Sequence, residues 1–173
     1  MNATPFGVVK ALAVLALLVL LQTTFFRNVR PFGVAPDLVM LAVILAARWL
    51  PAEQALVYGF TAGVVMDLLG TTPLGLRGLV LTVVAYLVVR FRDWVEASPA
   101  TTLLSVAGFS AVGVGLLVVI GTLFGQAILA EVGVLRRFLL VPLWNTVLAL
   151  ALAPLMTSLL NPVQRSRIGV GAS

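Results

Sequence analysis

Apolar residues along this chain occur in six long blocks, which short stretches rich in charge, proline or glycine separate. A hydrocarbon core of about 30 Å is crossed by about 20 helical residues, and tilted or shielded helices are shorter. Each block therefore predicts one membrane-spanning helix, with spans of about 6–26, 36–50, 52–69, 74–91, 101–128 and 138–160. Residues 1–162 form a single six-helix domain on this interpretation, and we expect the short basic tail, 163–173, to be disordered.

The second block is the shortest, with only about 14 strongly apolar residues where a full crossing takes about 20. It leaves an alternative open, in which blocks two and three form a re-entrant hairpin that enters the membrane without crossing it. Arg48 and Glu53 flank Pro51 between these two blocks. A hairpin tip within lipid would place both charges in hydrocarbon, so two crossings are favoured.

Composition supports an all-α integral membrane protein. Hydrophobic residues make up 61% of the chain and charged residues 10%, whereas a soluble domain carries roughly 25% charged residues. The chain has no cysteine and no histidine, which excludes disulfides, thiolate nucleophiles and histidine-ligated metals. Nor does it contain a glycine-rich phosphate loop with its lysine. We therefore predict no cofactor, no metal site and no enzymatic activity.

The basic residues predict orientation rather than nucleic-acid binding. The net charge is +5, and the 11 basic residues are scattered in ones and twos between apolar blocks, as membrane anchors are. With the amino terminus inside, six of them lie inside and five outside, and the terminal amine adds to the inner count. Both termini are therefore predicted to be cytoplasmic. The inner set is Lys10, Arg48, Arg90, Arg92, Arg165 and Arg167, and the outer set is Arg27, Arg30, Arg77, Arg136 and Arg137.

Three charged residues are predicted to lie at one membrane depth near the outer face. Asp67 falls in the last turn of the third helix, Asp37 begins the second with Pro36, and Arg77 begins the fourth. A charge within lipid is costly, so we expect an ion pair between Asp67 and Arg77. Asp37 is favoured separately by the helix dipole. Asn145, deep in the sixth block, is expected to bond a neighbouring helix.

Small residues mark one face of the third helix and the turn after it. Gly59, Gly63 and Asp67 recur every four residues, so they share a face on which a neighbouring backbone, most simply an internal one, packs closely. Gly70 follows the helix end, where we expect the left-handed conformation that glycine adopts easily. Further residues expected to end the turn or to keep the fourth helix slim are Pro73, Gly75 and Gly78.

The stretch from Pro36 to Arg92 resembles the MreD family of bacterial rod shape-determining membrane proteins. The likeness is carried by "APDLVMLAVILAARW", "GFTAGVVMDLLGTTPLGLRGL" and "AYLVVRFR". It implies a non-catalytic scaffold of cell elongation and peptidoglycan synthesis, located as a multi-pass protein in the cytoplasmic membrane. The partners that it implies are the coiled-coil protein MreC, the actin-like MreB, the glycosyltransferase RodA and a class B penicillin-binding protein. The fold that it implies is similar to the substrate-binding subunits of energy-coupling-factor transporters.

A second function stays open from the residues alone. The outer polar cluster could line a pocket, which would make the chain a small-molecule or lipid-binding subunit of a membrane transporter. Few polar groups converge to orient a solute, however, and aromatic residues total only 8%. The scaffold is therefore the favoured interpretation.

Overall fold

The computed structural model describes residues 5–26, 29–70, 73–94, 98–125 and 133–160. Within these ranges all regular structure is helical, and six α-helices follow one another with two short 3-10 turns, Pro31–Gly33 and Arg92–Trp94. Thr71, Thr72, the far end of the predicted fifth span and the predicted tail lie outside the described residues. The helices are α1 Pro5–Thr24, α2 Leu38–Ala47, α3 Ala52–Leu69, α4 Leu76–Phe91, α5 Pro99–Leu123 and α6 Val134–Leu160.

The short helix α2 forms the centre of the bundle. It packs against each of the other five α-helices, and none of its ten residues is more than 2% exposed. A helix that is apolar on every side is suited to such a position, because no side needs to face water. Its length of about 15 Å is half of a hydrocarbon core. Protein on all sides shields α2, so its length need not match the bilayer.

The helices α3 and α4 are the most extensively packed pair, and the glycine face of α3 lies against α4. A Cβ atom at Gly63 would overlap the backbone of Arg77 and Gly78, and one at Gly59 would lie 2.7 Å from the carbonyl oxygen of Leu81. Going back along α3 from Gly63 to Gly59 thus corresponds to going forward along α4 from Gly78 to Leu81, so the two helices are antiparallel. The close neighbour expected from the glycine spacing is therefore internal.

The helices α5 and α6 are the long members of the bundle. Two described segments, Pro99–Leu123 and Val134–Ser158, are long and apolar enough to cross a membrane. The first begins two residues earlier than predicted because Ser98 and Thr101 form a capping box, in which each side chain bonds the other's backbone N–H. Val34, from the segment before α2, packs in a small cluster with Val114, Val118 and Val141.

Candidate functional site: a polar junction between five helices

Five polar side chains from five successive elements meet where α2 and α4 begin. Three of them are almost fully buried, with exposed fractions of 4% for Asp67 and 0% for Ser110 and Asn145. Such groups are stable in an apolar interior only when they are hydrogen-bonded. We call this set the polar junction: Asp37 before α2, Asp67 in α3, Arg77 in α4, Ser110 in α5 and Asn145 in α6.

The carboxylate of Asp67 lies against the N-terminus of α4. It accepts hydrogen bonds from the backbone N–H groups of Gly75 at 2.9 Å, Arg77 at 3.0 Å and Gly78 at 3.4 Å. The first turn of a helix leaves such N–H groups unpaired and carries the positive end of the dipole, so it binds anions. Asp67 thus ends one helix, where an anion is unfavourable, and at the same time caps the next, where it is favourable.

The ion pair of the junction joins Arg77 to Asp37. Nη1 of Arg77 lies 3.3 Å from Oδ2 of Asp37, whereas the sequence favoured Asp67 as its partner. Asp67 accepts the backbone N–H of Arg77, while the guanidinium of the same residue reaches Asp37. The other oxygen of Asp37, Oδ1, accepts the N–H of Met40 at 2.9 Å. Asp37 is therefore the N-cap of α2, and the helix begins at Leu38 rather than at Pro36.

Asn145 makes the interhelical hydrogen bonds that its position predicts, and it makes them to two partners. Its Oδ1 accepts the backbone N–H of Asp37 at 3.0 Å, and its Nδ2 donates to Oγ of Ser110 at 3.1 Å. Gln22 of α1 adds a further contact, since its Oε1 accepts the N–H of Val39 at 3.0 Å. The backbone N–H groups at the start of α2 thus donate to side chains of α1 and α6 as well as to the N-cap of α2, Asp37.

The turn between α3 and α4 differs in one respect from expectation. Gly70 follows α3 as predicted, but its backbone is extended, with φ −106° and ψ −169°, so the predicted left-handed conformation is wrong there. The left-handed residue is Gly75, with φ +91°, and open space surrounds the position of its missing Cβ. Glycine is therefore needed at 75 for backbone conformation. At Gly78 glycine is favoured by close packing, since a Cβ atom there would lie 3.0 Å from Val64. The carbonyl of Pro73 accepts the N–H of Leu76 at 3.2 Å.

At the opposite end of α2, two arginines whose positions predict membrane anchors also form hydrogen bonds within the protein. Nη1 of Arg92 donates to the carbonyl oxygens of Ala47 at 3.1 Å and Leu50 at 2.6 Å. Arg48 donates to Oγ of Ser105 at 2.8 Å. A cation at the carboxyl end of a helix complements its dipole and its unpaired carbonyls. Basic residues in short loops carry no signal that separates a helix cap from an anchor.

The side chains of the polar junction are bonded to fixed groups of the protein. Both carboxylates accept hydrogen bonds from fixed donors, and the amide of Asn145 uses its oxygen and its nitrogen within the protein. Among the described residues, no group of three or more His, Cys, Asp or Glu side chains could hold a metal ion. The site fixes the relative positions of helix ends.

A helical bundle with two helices long and apolar enough to cross a membrane, and with buried polar side chains that bond between helices at the polar junction, has the features of an α-helical membrane protein. The family model for the rod shape-determining protein MreD matches residues 5–163. The chain belongs to the MreD family, so the resemblance over Pro36–Arg92 is confirmed and extends to nearly the whole chain. Its role in bacteria is accordingly in rod-shape determination. Neither the curated proteins nor the solved structures contain a match to the chain.

Proposed function

We propose that this chain is a non-catalytic scaffold that crosses the bacterial cytoplasmic membrane six times and serves the cell-elongation machinery of peptidoglycan synthesis. The family match over residues 5–163 is the observation that carries the proposal. The partner proposed for direct contact is MreC, and MreB, RodA and a class B penicillin-binding protein complete the assembly. Both termini are cytoplasmic in this proposal, and the bundle is similar to the substrate-binding subunits of energy-coupling-factor transporters.

The relation between α2 and α4 supports six crossings over a re-entrant hairpin. At one end, Asp37 before α2 pairs with Arg77 in the first turn of α4. At the other end, Arg92, directly after α4, bonds the carbonyls of Ala47 and Leu50. The segment 37–50 is therefore bonded at both ends of α4, whose 16 residues extend over about 24 Å. The tip of a re-entrant hairpin would end part of the way along α4.

The polar junction supports partner binding indirectly. Because its side chains are bonded within the chain and, except for Arg77, buried, they hold the turn between α3 and α4 in place rather than touch a partner. Three leucines next to that turn, Leu68, Leu69 and Leu74, are instead largely exposed. Exposed leucines on a rigid turn can pack against the apolar segment of a membrane-anchored partner. We place the MreC contact on these three side chains.

A matched pair of variants tests this contact. Leu74→Gln removes an apolar side chain that is 70% exposed at the turn, and Leu135→Gln does the same at a side chain that is 71% exposed at the start of α6. Tagged protein is purified from rod-shaped cells that also produce MreC, and the MreC recovered per molecule is measured. We expect Leu74→Gln to lower recovery about fivefold or more, as for a central contact residue, and Leu135→Gln to leave it unchanged.

Both variants should keep the thermal unfolding midpoint of the parent protein, since both side chains are exposed. Equal MreC recovery from the parent and from Leu74→Gln would place the contact elsewhere. Failure of the parent itself to recover MreC would remove MreC as a direct partner. Cell shape, scored as the ratio of length to width, reports whether the lost contact matters for elongation.

The transport alternative finds less support. It requires a hollow pocket at the polar junction, with polar groups free to bind a solute. The side chains of Asp67, Ser110 and Asn145 are instead buried and bonded within the chain, Asp67 to the start of α4 and Asn145 to Ser110. The scaffold is therefore the function that the geometry favours.

A further inference from the structure

A groove opens between α3 and α4 at the end opposite to the polar junction. Near Gly63 and Gly59 the two backbones are in contact, whereas towards the start of α3 a space between the two helices is lined by side chains of both. The resulting space has a volume of about 250 Å³. Its lining residues are Ala52 and Leu56 from α3 and Tyr86, Val89, Arg90 and Asp93 from α4 and the turn after it.

The two walls of the groove are continuous helix faces. Val89 and Arg90 follow Tyr86 by three and four residues and precede Asp93 by four and three, and Leu56 follows Ala52 by four, so each set lies on one side of its helix. Ala52, Leu56, Tyr86 and Val89 supply aliphatic and aromatic carbon, whereas the charged lining residues, Arg90 and Asp93, come from the end of α4 and the turn after it, which we call the mouth of the groove. The groove therefore changes from apolar to charged along its length.

The direction of this change matches the membrane, if the six-span topology proposed above holds. The mouth lies where α4 ends, beside Arg92 and the 77% exposed Trp94. Arginine and tryptophan at a helix end mark the interface between hydrocarbon and headgroups. The charged mouth is then at headgroup depth on the cytoplasmic face, and the apolar part reaches into the acyl-chain region. The chemistry of a groove with this position and gradient is that of a phospholipid.

We propose that this groove binds one phospholipid with a phosphoethanolamine headgroup. Arg90 binds the phosphate, Asp93 binds the ammonium, and an acyl chain lies along Leu56 and Val89. The assignment of the headgroup follows from charge complementarity, because a groove mouth with one cation and one anion matches a zwitterion. An anionic glycerol headgroup would leave Asp93 beside additional negative charge, and a quaternary choline has no N–H to donate to it.

Asp93 is available for this contact. Its side chain is 85% exposed, and the nearest cation is Nε of Arg92 at the loose distance of 3.9 Å. Arg92 itself is committed to the carbonyls of α2 through Nη1. Arg90 and Asp93 are thus both available to bind a ligand that carries a positive and a negative charge.

Native mass spectrometry of the purified full chain, after exchange into detergent with equal amounts of phosphatidylethanolamine, phosphatidylglycerol and phosphatidylcholine, tests the proposal. The parent should retain one phosphatidylethanolamine in preference to the other two lipids. Arg90→Gln should reduce all lipid retention about tenfold, since it removes the charged donor to the phosphate. Asp93→Asn should keep a bound lipid but bring the ratio of phosphatidylethanolamine to phosphatidylglycerol to about one. Arg136→Gln, at an exposed arginine of α6, is the control and should change neither quantity.

Ala52→Phe tests the groove without changing charge. Phenylalanine would fill the space beside Leu56 and displace the acyl chain, so retention should fall as in Arg90→Gln, whereas Leu104→Phe on the exposed side of α5 should be silent. Equal retention in the parent, Arg90→Gln and Ala52→Phe would overturn the site. An unchanged lipid ratio in Asp93→Asn, or a parent preference for phosphatidylglycerol, would overturn the headgroup assignment.

The same variants separate this inference from the proposed function. Recovery of MreC should be unaffected by Arg90→Gln and Ala52→Phe, because the groove lies at the opposite end of α3 from Leu74. Loss of lipid with MreC retained therefore supports the site alone. Thiol labelling of Ala52→Cys and Leu74→Cys in intact cells tests the topology independently, and labelling of Ala52→Cys from the periplasm would contradict the cytoplasmic placement of the groove.

Discussion

Asp67 accepts a hydrogen bond from the backbone N–H of Gly75, eight residues further along the chain, at 2.9 Å. The bond spans the turn between two antiparallel helices and joins the last turn of one to the first turn of the other. Direct hydrogen bonds from the α4 amides outweigh the unfavourable end of the α3 dipole, because a dipole effect near a helix end amounts to only about 0.3–1 kcal/mol. The carboxylate thus joins the end of α3 to the start of α4 across the turn.

The first prediction concerns the charge of this carboxylate. Asp67→Asn keeps the size of the side chain but replaces a charged acceptor by a neutral amide with one acceptor oxygen instead of two, so we expect a loss of about 2 kcal/mol in the free energy of unfolding, as for hydrogen bonds to a charged group. Denaturant titration of the purified protein measures it. Glu53→Gln, at an exposed position in the first turn of α3, is the control and should change stability by less than about 0.5 kcal/mol. Equal stability of the two variants would contradict the cap.

The second prediction compares two glycines. At Gly63 a methyl group would overlap the backbone of Arg77 and Gly78, whereas at Gly108 in α5 it would meet open space. Gly63→Ala should separate α3 from α4 and destabilise the protein by about 1–3 kcal/mol, as overpacking does. Gly108→Ala should leave stability unchanged or raise it by up to about 1 kcal/mol, because alanine is the better helix former. Thermal unfolding in detergent distinguishes these results, and a silent Gly63→Ala would exclude backbone contact there.

The third prediction is a double-mutant cycle on the ion pair of the polar junction. Arg77→Met and Asp37→Asn are combined, with asparagine chosen because it caps a helix nearly as well as aspartate. The side chains of Arg77 and Asp37 are 27% and 12% exposed, so we expect a coupling free energy of only about 1 kcal/mol. Additive effects of the two substitutions would show that the contact adds no stability.

Those elements whose ends are marked in the sequence could be predicted closely. The third segment was predicted at 52–69, and α3 is Ala52–Leu69, because Pro51 and Gly70 mark its two ends. The glycine face of α3 also followed from spacing alone. The second segment was predicted as 36–50 but contains a helix of only ten residues, since no local signal shows that other helices enclose it.

The partners within the polar junction could not be predicted with the same success. The sequence showed that Asp67 needs compensation, but backbone donors become available only through the left-handed turn at Gly75 and the approach of α4. Ser110 and Gln22 were missed for a related reason. A single serine or glutamine in an apolar helix has no local signature that identifies its partner, which comes from a distant part of the chain.

The complete enclosure of α2 by the other helices has a consequence for the order in which the protein folds during its synthesis. The ribosome delivers α2 long before α5 and α6, yet these last two helices cover part of it, and Asn145 near the chain's end supplies the acceptor for the N–H of Asp37. While only the first four helices have left the ribosome, part of α2 is therefore exposed to its surroundings. The uninterrupted apolar sequence of α2 is compatible with that exposure. Closure of the interior waits for the final helix, so translation sets the timing of the bundle's last assembly step.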